Sequence, residues 1–295
     1  LTGSQRRSHQ PSDPGRRHHA NQASQRLRRA EIHDITIRDI RDPEIRERVL
    51  QALHDNELVI FKHLEISPGE QVELARLIGE PVPFVMSQYR HPEHPEIMIS
   101  SNEVVDGKAY GVPRVGNFWH QDSSYTDNPT TYTLLHGITI PASSGDTLFS
   151  SARDVYTRLP EIWKRKIEGR QAVHTVRKRF KVRPEHVGYS IAEIQQHAEK
   201  LHPPVKHDLV KRDAWTGRPY LYGARDYIDY VIGFDANENQ DFLALLEELV
   251  TDGRYVYRHR WTKGDLLLWK TETAYHAVTH VEDNQARTVH RVAVK

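Results

Sequence analysis

Apolar residues along this chain come in short runs broken by polar turns, and their spacing predicts alternating helices and strands. IHDITI (32–37) alternates apolar and polar positions, the period of a half-buried strand. DPEIRERVLQAL (42–53) carries Ile45, Val49 and Leu53 four residues apart. With Asp42 placed to cap and Pro43 beside it, this segment reads as a helix. LVIF (58–61) is an uninterrupted apolar run and reads as a short buried strand. SPGEQVELARLIG (67–79) is a second helix, opened by Ser67-Pro68 and closed by Gly79. Strands are predicted at 97–100, 130–140 (TTYTLLHGITI) and 147–149, and helices over 152–159, 160–169 and 191–199. A turn and strand follow at 215–222. A helix over 240–250 places Phe242, Leu245, Leu246 and Leu249 at helical spacing, and strands close the chain at 255–261, 265–269 and 288–294. This order predicts the α+β class: an antiparallel double-sheet (jelly-roll) core with added helices and a long mixed insertion.

Composition narrows the chemistry. The 295 residues include no cysteine and nineteen histidines, so any metal must sit on His and carboxylate. Disulfides, iron–sulfur clusters and thiol nucleophiles are excluded. Lys+Arg (41) and Asp+Glu (40) nearly cancel, but the balance hides a split. Residues 1–30 hold seven Arg and one Asp with few apolar residues, and are expected to form a disordered basic tail. The tail lacks the apolar core of a signal peptide. The remaining 31–295, expected to fold as one domain, is mildly acidic and gives no support to nucleic-acid binding. No apolar run approaches the roughly 18 residues of a membrane span. A cytoplasmic protein is expected, with a small molecule as its partner and homo-oligomerisation left open.

The sharpest chemical signal is FWHQD (118–122). On a strand, His120 and Asp122 would point to one face and bring an imidazole and a carboxylate together. A second, distant His would complete the facial triad that holds non-heme Fe(II) with open positions for co-substrate and oxygen. His136, His174, His259, His276, His280 and His290 are candidates. His276 stands out because a strand carrying Arg287 and Arg291 follows it. These arginines, four apart, share a strand face and suit a keto-diacid that needs a buried, bidentate cation.

The stretch WHQDSSYTDNPTTYTLLHGITIPASSGDTLFSSARDVYTRLP resembles the metal-binding region of the TauD/TfdA family of Fe(II)/2-oxoglutarate-dependent dioxygenases. GDLLLW…H…R…HRV near the C-terminus and LVIFKHLEISPGEQVELARLIGEP near the N-terminus resemble that family too. The resemblance runs from about residue 31 to 295 and implies a double-stranded β-helix, with Fe(II) as cofactor and 2-oxoglutarate and O2 as co-substrates. It implies that His120, Asp122 and His276 bind the iron and that Thr147 and Arg287 hold the distal carboxylate of 2-oxoglutarate. Arg291 would hold that carboxylate or an acidic group of the substrate. The carboxylate at position 122 disfavours halogenation, which in relatives goes with a small residue there. WKTE (269–272) stands where the family commonly has WDNR, and Lys270 and Glu272 are expected to pair with each other.

A narrower similarity links YRHPEHPEIMISSNEVVDGKAYGVPRVGNFWHQD and VRKRFKVRPEHVGYSIAEI to the isonitrile-forming branch, which oxidises an N-carboxymethyl β-amino acid in lipopeptide pathways. It implies a dicarboxylate substrate gripped by Lys181, His280 and Arg291. The branch's pocket tyrosines correspond to Phe84 and Val85, with Tyr89 just downstream as a replacement hydroxyl. The competing substrate is a taurine-like or other small anion gripped by Arg291 alone. His136 and His290 are expected to be core residues, and HPEHPE (91–96) a Pro-ordered loop.

Overall fold

The computed structural model describes residues 27–113, 115–179, 182 and 186–295. The expected tail falls mostly outside these residues, but its boundary at 30 needs correcting. Leu27 is only 2% exposed and packs with Leu58 and Ile60. The first strand, Arg29–Ile32, lies parallel to Leu58–Phe61. IHDITI is likewise corrected: the strand ends at Ile32, and Thr36 caps a short helix, Ile37–Ile40, through a capping box with Asp39. Thr36 and Asp39 exchange hydrogen bonds that satisfy local backbone donors, so local capping wins over the alternation.

The two N-terminal helices follow their caps. Pro43–Asn56 starts at Asp42, which accepts from the Glu44 amide, and buries Val49, Leu53 and His54. Pro68–Ile78 has the Ser67/Glu70 capping box and buries Val72, Leu74 and Ala75. Gly79 caps its C-terminal end, and glycine is required there because a Cβ would collide with the Lys295 carbonyl.

A seven-stranded sheet forms the larger face of the β core. Leu58–Phe61 pairs antiparallel with Leu266–Lys270, which pairs with Tyr132–Thr139, which pairs with Thr288–Val294. The last strand also pairs with Ile97–Ser101 and Pro81–Val82. Central strands covered on both faces explain the apolar runs LVIF and LLLW, each residue of which is buried. Each such side chain contributes roughly 1.5–3 kcal/mol on leaving water. A three-stranded sheet, Tyr257–His259 / Thr147–Ser151 / Ala274–Val278, forms the smaller face. Asp265 ties the two together at the GDLLLW turn. Its buried carboxylate accepts from the Thr262 amide (3.0 Å) and Lys62 Nζ (2.7 Å) and lies 3.2 Å from His259.

Helices Ala152–Arg158 and Glu161–Ile167 lead into the insertion, and helix Ala236–Thr251 leads out of it. Between them lie a three-stranded sheet (Gln171–His174, Val205–Asp208, Ile228–Val231), the hairpin Val210–Arg212/Pro219–Leu221 and the capped helix Ile191–Leu201. Phe242, Leu246 and Val250 seat the exit helix on Val155, Tyr222 and Tyr275.

Candidate active site

His120 does not lie on a regular strand, contrary to the strand reading of FWHQD. It forms an isolated antiparallel bridge with His276, N to O at 3.0 and 2.9 Å in the two directions. A directly opposed, hydrogen-bonded pair projects both side chains to one side, and the two imidazoles sit 4.1 Å apart. Asp122 enters from the turn that follows. One ligand atom from each of His120, Asp122 and His276 lies within 4.8 Å of the others, a group that suits a metal ion.

The surroundings prepare each group. His120 Nδ1 donates to the Phe118 carbonyl (2.8 Å), leaving Nε2 with its lone pair toward Asp122 Oδ1 at 3.5 Å. His276 is pushed down to about 3 by burial and by the neighbouring His120, so it stays neutral and able to donate a lone pair. Burial opposes charge on Asp122, but the Arg291 guanidinium beside it outweighs that and holds the carboxyl well below the ordinary carboxylate range. Arg291 donates to Asp122 Oδ2 from Nε (3.3 Å), and its Nη2 forms an ion pair with the same oxygen at 2.9 Å.

A cavity of about 1450 Å³ opens beside this triad and is lined also by Thr147, Arg287 and Arg291. Arg287 is 5% exposed; its Nε donates to the Gly145 carbonyl (2.9 Å), while Nη2 is buried without a partner. Burial lowers it from 12.5 to about 10. A buried, unpaired guanidinium nitrogen beside a cavity is fitted to a carboxylate. Gly145 makes room: its φ is +74°, and a Cβ would come within 2.6 Å of Arg287 Cδ. Thr147 Oγ1 accepts from Trp261 Nε1 (3.0 Å). Because indole only donates, the Thr147 hydroxyl proton remains available to a ligand.

Phe84, Val85 and Tyr89 line the same cavity, Val85 at its exposed mouth. Lys181 lies outside the described residues. His280 is corrected: its side chain is exposed and off the cavity lining, and its carbonyl holds the Gly145 amide instead. The pairing of Lys270 with Glu272 is also corrected. Lys270 pairs with Asp213, whereas Glu272 takes Lys211 Nζ (2.7 Å) and the Tyr220 hydroxyl. Both side chains thus anchor the insertion. His136 donates to the Leu64 carbonyl in the core (3.2 Å), and His290 is buried against His91.

Several site residues escaped the sequence. Tyr227 packs against Phe118 and Tyr125, giving an aromatic wall that starts at His120. Burial raises both tyrosine hydroxyls, which therefore remain protonated donors. Gln121, between the two ligands, is wholly buried; it donates to the Glu272 carbonyl and accepts from the Gly223 amide (2.7 Å). Its place inside HQD was the only signal available.

The sequence model described as "Taurine catabolism dioxygenase TauD, TfdA family" matches residues 20–293. The chain belongs to the TauD/TfdA family. It is 31% identical over 275 residues to an alpha-ketoglutarate-dependent 2,4-dichlorophenoxyacetate dioxygenase of Cupriavidus pinatubonensis, covering 89% of this chain and 92% of that one. It is 25% identical over 271 residues to pentalenolactone F synthase of Streptomyces arenae, covering 89% and 90%. Among solved structures, AAD-2 in complex with Mn(II) and N-oxalylglycine superposes with a TM-score of 0.75 at 22% identity, covering 92% and 96%. A taurine dioxygenase from Burkholderia xenovorans superposes at 0.73 and 21%, covering 92% and 86%. The TauD/TfdA chain is thus an alpha-ketoglutarate-dependent dioxygenase using Fe(II), 2-oxoglutarate and O2. Among its described residues no helix is long and apolar enough to cross a membrane.

Proposed function

We propose that His120 Nε2, Asp122 and His276 hold Fe(II), that Arg287 and Thr147 take the distal carboxylate of 2-oxoglutarate, and that the enzyme oxidises a C–H bond of a small carboxylate-bearing metabolite. The observation that carries this reading is the convergence of the triad beside a buried guanidinium with an unpartnered nitrogen. The bound iron supplies the oxidising chemistry, with 2-oxoglutarate and O2 consumed and succinate and CO2 released. The chain supplies placement. Arg291 donates its Nε–H to Asp122, leaving other N–H groups for a substrate carboxylate. The Phe118–Tyr227–Tyr125 wall gives the substrate's apolar body a face to pack on and shields the reacting carbon from water. The larger and smaller sheets are then the halves of a double-stranded β-helix, and a cytoplasmic setting matches the need for 2-oxoglutarate and reduced iron.

The narrower reading, isonitrile formation on an N-carboxymethyl β-amino acid, asks for Lys181 and His280 beside Arg291. With His280 exposed and off the cavity lining, the broader organic-acid reading is better supported. The test is substrate-stimulated succinate release across carboxylic acids, taurine and N-carboxymethyl amino acids, with products identified by mass spectrometry. His120→Ala and His276→Ala should each abolish succinate release. Undiminished release in either variant would remove the proposal.

A further inference from the structure

Thr133 sits wholly buried on the strand Tyr132–Thr139, with its Oγ1 3.0 Å from Asp122 Oδ2 and 3.2 Å from Thr271 Oγ1. The direction of this chain follows from donor inventory. An ionised carboxylate only accepts, so the single Thr133 hydroxyl proton goes to Asp122. Thr133 Oγ1 then accepts from Thr271. Thr271, also wholly buried, is itself held by its amide, which donates to the Thr131 carbonyl at 2.9 Å. Arg291 brings a further N–H, from Nε, to the same oxygen, and its Nη2 pairs with that oxygen electrostatically at 2.9 Å. Two donors therefore converge on Oδ2, with the Arg291 Nη2 charge 2.9 Å away, while Oδ1 faces His120 Nε2 at 3.5 Å and Oδ2 lies 3.8 Å from His276 Nε2.

We infer that Thr133, backed by Thr271, is a positioning residue that saturates Asp122 Oδ2 and so presents Oδ1 as the metal ligand. The inference rests on the metal-site reading above and deepens it. An oxygen whose lone pairs are committed to two donors is a poor ligand, and a carboxylate anchored on one side cannot swing away from the two imidazoles. Losing a partner of this kind typically weakens metal binding by about 10–100-fold. Thr133 touches neither substrate nor co-substrate in this role, and it acts through Asp122.

The test is the Mn(II) dissociation constant of the full chain, read from the electron paramagnetic resonance of free Mn(II). The anaerobic visible charge-transfer band with Fe(II) and 2-oxoglutarate is a second readout. Asp122→Ala is the control for the underlying reading: retained wild-type affinity there would remove the metal site and this inference with it. With that control passed, Thr133→Val should weaken Mn(II) by about tenfold or more and shift the band. Thr133→Ser, which keeps the hydroxyl, should return to within roughly twofold of wild type. Thr271→Val should weaken binding by roughly twofold to fivefold and add nothing on top of Thr133→Val. An unchanged affinity in Thr133→Val, or a Thr133→Ser variant as weak as Thr133→Val, overturns the inference and leaves the metal site standing. Should Thr133→Val not fold, Thr271→Val decides alone, because it removes the donor without touching Asp122; unchanged affinity there has the same consequence.

Discussion

Replacing Arg287 by Met separates what this side chain does for binding from what it does to stability. In the ligand-free protein the guanidinium is buried, its Nε bonded to the Gly145 carbonyl and its Nη2 unpartnered. Its fall from 12.5 to about 10, caused by burial, corresponds to roughly 3 kcal/mol of strain on the charged form. The folded value lies below the unfolded one, so this cost is present at neutral pH and is relieved only above about pH 10. Met keeps an unbranched stem in the space beside Gly145 and removes the charge. Losing the bond to the Gly145 carbonyl costs about 1 kcal/mol. The net expectation is a ligand-free protein more stable by roughly 1–2 kcal/mol, melting a few degrees higher. The co-substrate should lose its charge-assisted partner, with affinity falling on the order of a hundredfold. Thermal melts with Mn(II), with and without 2-oxoglutarate, read both. Wild type should gain stability on adding 2-oxoglutarate; Arg287→Met should start higher and gain little. A variant that melts lower than wild type and still responds fully to 2-oxoglutarate would refute the reasoning.

Gly145→Ala should displace Arg287 and strain a left-handed backbone, lowering stability by about 1–3 kcal/mol and 2-oxoglutarate affinity at least roughly tenfold in the same titrations. Acid should destabilise the metal-free protein. Burial lowers His276 and His174 to about 3 and His290 to about 4, all below the ordinary value of 6.5. The unfolded chain therefore takes up these protons first, and stability falls as pH drops from about 6.5, by up to about 1.4 kcal/mol per pH unit for each histidine. Glu57, raised to about 7 by burial, works in the opposite direction over pH 4.5–7. Urea midpoints over pH 4.5–7.5 should show a net fall toward acid, and a flat profile contradicts the burial of these rings. Gln121→Leu should leave the Glu272 carbonyl and the Gly223 amide unpaired, costing roughly 2–5 kcal/mol in chemical denaturation; a loss under 1 kcal/mol would show the clamp to be idle.

Where local chemistry governs, the reading from residues and the structure agree. Ser67 with Pro68 and Asp42 with Pro43 open the two N-terminal helices in the structure as in the sequence reading. The uninterrupted runs LVIF and LLLW became doubly covered strands. The failures share a cause. IHDITI alternates like a strand, but the strand stops at Ile32 and the Thr36–Asp39 capping box starts a helix at Ile37. The spacing of FWHQD allows convergence on a strand, whereas a single bridge to a distant segment does the converging. Lys270 and Glu272 are close in sequence and opposite in charge, yet the insertion hairpin offers Asp213, Lys211 and Tyr220, and those partners win. His280 follows His276 by four residues, but the intervening strand ends at Val278 and the chain turns outward.

Residue type and order in the chain were sufficient for the donor set: without cysteine, His and carboxylate remain, and HQD followed by a distant His and two arginines names the candidates. Sequence order and resemblance singled out His276, but only the tertiary structure set it opposite His120, because the register between segments 156 residues apart is set by the whole β core. It also decided that Arg291 and Thr133 spend their donors on one oxygen of Asp122, and that Arg287 keeps a nitrogen in reserve. Hydrogen-bond direction and desolvation depend on what surrounds an atom, and those surroundings come from chain segments that sequence spacing does not place.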